Sequence, residues 1–401
     1  MLGGAENSAR NLAEWLRAQG VDVGVVRATD EGEAPGEDVT PTGIRIWRVE
    51  TPHIYSTVRF PSAPAWKKPI WHLQDHLDPR IRKPIGAVLD QFKPDLVNVH
   101  ILQGLGYPAL LETARRRIPV NYVLPDLGLA CVRMSMFKRG KDCVRQFTGC
   151  RLSSWYKSKL VQRQEEISFV SPSHANLETL SRFFPVRNYR STSILNPNAY
   201  PKPRVERSSA PGLRLLYAGR IHESKGVDLL LQAVDRLADR HAVTLSIAGK
   251  GQQEAELRET YGGKPWCRFL GFLSQGDLAD EMMRSDLLCI PSIWAENSPG
   301  VVIQALGLGL PVLGSNWGGI PELVHDGENG RLVTESTADA WAVAIEDCIL
   351  HPEELEQWRA KALAQAQDFD QDAIGARLLA WMKETAFRGR IDGVSPTDAP
   401  S

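Results

Sequence analysis

Arg220 and Lys225, the latter followed directly by Gly226, are residue types that grip phosphate. A guanidinium offers planar, paired N–H donors, and an ammonium offers a point charge. A second group lies further along. Glu296 is a lone acid in a loop, and a carboxylate can stabilise positive charge developing at an oxocarbenium-like carbon. Ser298 and Gly300 follow it at the start of an apolar helical run, where unpaired backbone N–H groups favour an anion. Gly318 and Gly319 can bring backbone amides close to a phosphate, with Glu322 just beyond. In the first half, Asp126 and His100 each stand at the end of an apolar run. Together these residues describe a site for a phosphorylated ligand beside an acid.

The elements that must carry them can be read from the apolar pattern. Residues 287–291 form a buried strand. Ser298 is the expected N-cap of the next helix, Pro299 its first residue, and 301–306 its apolar stretch. A second strand is expected at 311–314, and a second helix start at Pro321-Glu322. Upstream, 213–218 reads as a strand and 227–240 as an amphipathic helix through Leu230, Leu231, Val234 and Leu237, with Ser224 expected to cap it. Strands alternating with helices predict parallel sheets, which bind ligands at their carboxyl edge.

The stretch 287–322 resembles the donor-binding core of glycosyltransferase family 4, the retaining sugar-nucleotide transferases of glycosyl transferases group 1. Their motif is Glu, seven residues, then Glu, preceded by Pro-Ser and followed by Ala-x-x-x-Gly-x-Pro-Val. Pro291-Ser292, Glu296, Ala305, Gly309, Pro311 and Val312 are in register, and Gln304 replaces the second Glu. The resemblance implies a GT-B architecture: two Rossmann-like parallel-sheet domains facing a cleft. It implies a diphosphate held by Gly3, Gly4, Arg220, Lys225, Gly226, Ser298 and Gly300, with the sugar organised by Glu296. Gln304, Gly318 and Gly319 would serve the nucleoside and sugar. Exchanging a charged acceptor for a neutral one at Gln304 costs roughly 1–2 kcal/mol. In the first domain the family has His-Asp where this chain has Pro125-Asp126, although Leu129, Cys131 and Arg133 still match downstream. Proline supplies no side-chain donor, so Asp126 is the catalytic candidate there and His100 an acceptor-side one.

The resemblance further implies a UDP- or GDP-sugar as substrate, with no cofactor and no metal. It implies a glycan or lipid-linked acceptor and a role in polysaccharide biosynthesis. Cys131, Cys143 and Cys150 lack any CxxC pair and do not read as a zinc site. A homologue that binds sugar nucleotide or a partner without turnover is the alternative, and an epimerase on the same architecture a third reading. A dehydrogenase is rejected, because Gly104-x-Gly106 and Gly249-x-Gly251 both lack the third glycine.

A chain of 401 residues with 43% hydrophobic content can bury two cores. The expected division is 1–196, a proline-rich linker at 197–212, 213–369, a helix at 370–388 crossing back to the first domain, and a disordered tail at 389–401. The first strand of the N-terminal domain is missing, since Gly3-Gly4 leads at once into a helix; the reading is a start at an internal Met, or a fragment. The segment 51–84 reads as irregular. Six cysteines fit a reducing cytosol. The first 200 residues carry 27 Lys/Arg against 19 Asp/Glu. Residues 133–163 hold nine Lys/Arg and the single acid Asp142, interleaved with Trp155, Tyr156, Leu160 and Val161. That pattern fits peripheral contact with the inner membrane face or an acidic, lipid-diphosphate acceptor, with a solvated helix face carrying structural aromatics as the alternative; nucleic acid is not expected.

Overall fold

The structure, a computed structural model, describes residues 4–59, 62–138, 141–208 and 210–391. Gly3 and residues 392–401 of the expected tail lie outside the described residues. The chain forms two compact units, one of residues 1–136, 143–197 and 374–401, the other of 137–142 and 198–373.

In chain order the first unit's strands are β1 (Gly24–Ala28), β2 (Gly36–Val39), β3 (Arg45–Val49), β4 (Val97–Val99) and β5 (Val120–Val123). A short hairpin, β6 (Phe137–Lys138) and β7 (Lys141–Asp142), belongs to the second unit, and the first unit continues with β8 (Ile167–Ser171) and β9 (Arg190–Ser193). The first unit's strands make two sheets: β1-β3-β2, and the all-parallel β4-β5-β8-β9. β5 and β8 are mostly apolar, and all of their side chains are buried. Polar residues line up in register across three strands, Asn98 of β4 opposite Asn121 of β5 and Asn121 opposite Ser168 of β8.

The segment expected to be irregular contains a helix, Lys67–Leu77, and a 3₁₀ turn, Pro79–Ile81. Pro69 obscured the helix in the sequence but sits in its first turn, where no intrahelical N–H bond is lost. The final helix, Gln371–Ile391, runs past the expected end at residue 388. Its Ile374, Leu378 and Met382 pack with Leu12, Trp15 and Leu16 of the helix Gly4–Ala18 and with Val123 and Val170.

The second unit contains β10 (Leu213–Ala218), β11 (Val243–Ala248), β12 (Cys267–Gly271), β13 (Leu287–Ile290), β14 (Val312–Ser315) and β15 (Gly330–Val333). They form one parallel sheet in the order β12-β11-β10-β13-β14-β15. Counted within the unit this is 3-2-1-4-5-6, the doubly wound order, in which the winding reverses between the first and fourth strands. Here those are β10 and β13. Helix Val227–Leu237 presents Leu230, Leu231, Val234 and Leu237 to this core, all at most 1% exposed.

Candidate functional site

The loops leaving β10 and β13 carry Lys225 and Glu296, and the switch point brings the two together. Lys225 Nζ lies 2.5 Å from Glu296 Oε1. The same oxygen accepts a hydrogen bond from Ser292 Oγ at 2.6 Å and one from Trp294 Nε1 at 2.9 Å. Three donors therefore converge on Oε1, and Oε2 accepts none from the described residues. The Trp294 ring also lies 5.2 Å from Lys225 Nζ, a cation–π distance. Burial pushes the Glu296 carboxyl upward, but the Lys225 charge and the three hydrogen bonds outweigh it, and its pKa falls below the usual value. Glu296 is thus held ionised, in a fixed orientation, with one oxygen uncommitted.

Glycines make this loop possible. Gly318 has φ of +60°, and a Cβ there would lie 2.5 Å from the Glu296 carbonyl oxygen. Gly319 donates its N–H to that same carbonyl at 2.7 Å. The glycines expected to approach a phosphate are therefore needed first for the backbone of Glu296 itself. Gly226, with φ of +63°, passes equally close to Pro291, whose carbonyl oxygen would lie 2.0 Å from a Cβ.

Other expectations for this unit change. The helix is Gly300–Gly307 with Pro299 at its N-cap, and no side chain caps it, so Ser298 does not. A proline at the cap cannot supply an oxygen, which leaves the first N–H groups of the helix uncapped by any side chain. Ser224 does not cap the helix Val227–Leu237 either. It lies in the 3₁₀ turn Glu223–Lys225, which His222 caps, and Gly226 occupies the N-cap of the helix. Pro321-Glu322 opens only the single 3₁₀ turn Ile320–Glu322 rather than a helix. Arg220 is exposed, and its side chain forms no hydrogen bond or ion pair with the described residues. The Gly300 carbonyl accepts the Tyr200 hydroxyl at 2.8 Å. Gln304 is 2% exposed, and its amide points to the Gln275 carbonyl at 3.5 Å, too long to be strong.

In the first unit Asp126 and His100 line one small cavity, with Tyr107, Tyr122 and Pro125. Its volume of about 20 Å³ has room for a water-sized molecule rather than a sugar. Burial raises the Asp126 carboxyl to about 6, against the opposing effects of the Gly128 N–H and the Lys157 charge. The Gly128 N–H donates to Asp126 Oδ1 at 2.6 Å, and Lys157 Nζ donates to the Gly128 carbonyl at 2.7 Å. Lys157 is 1% exposed and lies 4.3 Å from the Tyr107 ring. This basic residue faces the interior, and it does not belong to the cationic surface expected of 133–163.

His100 is lowered to about 4 by burial and is therefore neutral. Asn98 Nδ2 lies 2.9 Å from His100 Nε2, so the ring nitrogen accepts and the proton sits on Nδ1. Asn121 Nδ2 in turn donates to Asn98 Oδ1 at 2.7 Å, and Trp381 Nε1 to Asn121 Oδ1 at 3.0 Å. A polar relay thus runs from the final helix across the sheet to His100. The reading from sequence missed it, and the signal was an asparagine inside each of two apolar strands. Gly4 opens the helix Gly4–Ala18 and is exposed. Cys131, Cys143 and Cys150 are outside any disulfide, and among the described residues no group of three His, Cys, Asp or Glu could hold a metal.

Among the described residues no helix is long and apolar enough to cross a membrane. The chain matches two family models, Glycosyl transferase 4-like domain over residues 3–190 and Glycosyl transferases group 1 over 203–365. It is 30% identical to the phosphatidyl-myo-inositol mannosyltransferase of Mycolicibacterium smegmatis over 184 residues, which cover 44% of this chain and 46% of that protein. It is 24% identical to a glycogen synthase of Mycobacterium tuberculosis, over 93% of this chain and 89% of that protein. Among solved structures it is similar to sucrose-phosphate synthase from Thermosynechococcus elongatus, with a TM-score of 0.72, 18% identity, and coverage of 95% and 93%. It is also similar to Anabaena HepE in complex with UDP, with a TM-score of 0.69, 18% identity, and coverage of 95% and 96%. The fold is therefore GT-B, and the chain belongs to glycosyltransferase family 4, the glycosyl transferases group 1.

Proposed function

We propose that this glycosyltransferase moves a hexose from a nucleoside diphosphate sugar to a hydroxyl of a glycan or lipid-linked acceptor, with retention at the anomeric carbon. The observation that carries the reading is the meeting of Lys225 and Glu296 between β10 and β13, where a phosphate-binding cation and a sugar-binding acid must be neighbours. In this reading Arg220, Lys225 and the uncapped N–H groups at Gly300 hold the diphosphate. Glu296, fixed through Oε1, offers Oε2 to the sugar hydroxyls. The bond from the anomeric carbon to the phosphate oxygen breaks, the bond to the acceptor oxygen forms, and the hydroxyl proton goes to the leaving diphosphate. No cofactor or metal takes part.

The relatives support this assignment. The mannosyltransferase is named for transfer of mannose and the glycogen synthase for synthesis of glycogen, and HepE has been solved with UDP and with UDP-glucose. A cytoplasmic location with peripheral membrane contact through 133–163 completes the reading.

Calorimetric titration of UDP, GDP and their hexoses, followed by a transfer assay, tests it. Binding of one nucleotide and product that depends on an acceptor are expected, with Glu296→Ala losing transfer and weakening the sugar nucleotide while UDP still binds. Binding with no transfer to any acceptor would favour a catalytically impaired homologue. Product without acceptor would favour an epimerase.

A further inference from the structure

The helix Thr148–Val161 buries Leu160 and Val161 in the usual way, but its first three turns are mixed. Its buried positions include Ser153, Ser154 and Lys157, whereas Leu152 and Trp155 point outward, 65% and 58% exposed. Just before it, Val144 and Phe147 are 86% and 54% exposed. Helices of water-soluble units place such residues inward, so four large apolar side chains left outward within twelve residues form a patch that calls for a partner.

The charges around the patch say which kind. Arg145, Arg151, Lys159 and Arg163 are all exposed, and no acid lies between Cys143 and Arg163. Leu152, Trp155, Phe183 and Pro185 line an open groove of about 480 Å³ with Arg151 among them. An apolar face carrying tryptophan and rimmed by one sign of charge matches a bilayer whose headgroups are anionic: the side chains enter the acyl boundary and the cations stay at headgroup level. A second copy of this chain is a poor occupant, because a twofold contact would set four cations against the same four.

We infer that the outward face of the helix Thr148–Val161, with Val144, Arg145 and Phe147, docks the protein on an anionic phospholipid bilayer. The inference rests on the proposed function only in giving the enzyme access to a lipid-linked acceptor; the surface itself stands on exposure and charge. It narrows the contact from a 31-residue segment to one face and removes Lys157 from it.

The test is flotation of the full chain with vesicles of phosphatidylcholine alone and with about one-third phosphatidylglycerol, in low and high salt. Wild type should float with the anionic vesicles only, and less in high salt. Each cation near the surface contributes roughly fivefold, so Arg145→Glu with Arg151→Glu should lower partitioning at least tenfold. Leu152→Ser with Trp155→Ser should abolish it at every salt concentration. Both pairs replace exposed side chains, and an unchanged melting temperature is required of each. Failure of wild type to float, or flotation of both variants like wild type, overturns the inference. So does a dimer in light scattering that Leu152→Ser with Trp155→Ser dissolves. UDP titration on the same samples separates the two proposals: UDP binding without flotation defeats only the docking face, and flotation without UDP binding defeats only the donor reading.

Discussion

Replacing Lys225 by methionine should reveal how strongly it and Glu296 depend on one another. Both side chains are largely withdrawn from water, with Lys225 19% and Glu296 9% exposed. Truncating one partner of a fully buried pair costs about 3–5 kcal/mol, because the remaining charge is stranded. Two features reduce that figure here: the residual exposure of Lys225, and the two hydrogen bonds from Ser292 and Trp294 that stay on the carboxylate. A loss of about 2–3 kcal/mol is therefore expected for Lys225→Met. Glu296→Gln keeps an acceptor for both donors and strands a less deeply buried ammonium, so it should cost about 1–2 kcal/mol. The double variant should be less destabilised than the sum of the two by about 1–2 kcal/mol.

The pH dependence gives the sign. Glu296 has a folded pKa below its unfolded value, so its contribution is complete above the unfolded pKa of 4.5 and fades as pH falls through the folded one. The deficit of Lys225→Met should accordingly be full at pH 7 and shrink below about pH 4.5. Urea unfolding of the four proteins at pH 7.5 and pH 4, followed by tryptophan fluorescence, measures both effects. A coupling below about 0.5 kcal/mol, or a deficit of Lys225→Met that does not change with pH, would refute the claim that these residues act as one unit.

Three further outcomes follow from the geometry. Trp294→Phe removes one donor to Glu296 Oε1 and keeps most of the ring's bulk, so it should weaken UDP-sugar binding severalfold in calorimetry while UDP alone binds nearly as before. Gly318→Ala places a Cβ against the Glu296 backbone at a positive φ, and should lower stability by at least about 2 kcal/mol in urea unfolding. Asp126 is raised to about 6 from 3.8, so between those values the native state holds the proton longer and its stability falls as pH rises. Asp126→Asn should therefore be more stable than wild type by about 1–3 kcal/mol at pH 7.5, with the advantage gone near pH 3.5.

The sequence alone determined the alternation of strands and helices, because apolar periodicity is a local property that survives without the fold. It also singled out Lys225 and Glu296 as candidates for phosphate and sugar, since their charges are intrinsic. It did not determine that they touch. That depends on β13 pairing with β10, across 71 residues of chain, and on the reversal of winding between them. Capping was misread for a related reason. Ser298 and Ser224 are good cap residues by type, but the turn geometry puts Pro299 and Gly226 at the two N-caps.

The helix Lys67–Leu77 was hidden by Pro69, a residue that breaks a helix only beyond its first turn. Burial of a polar side chain is decided entirely by neighbours distant in sequence. Lys157 and Lys159 are two residues apart and indistinguishable by composition. One lies inside, bonded to the Gly128 carbonyl, and the other faces water, because successive helical positions point about 100° apart and only packing fixes which direction is the core. The same rotation turned Leu152 and Trp155 outward, a fact that no count of apolar residues along the chain contains.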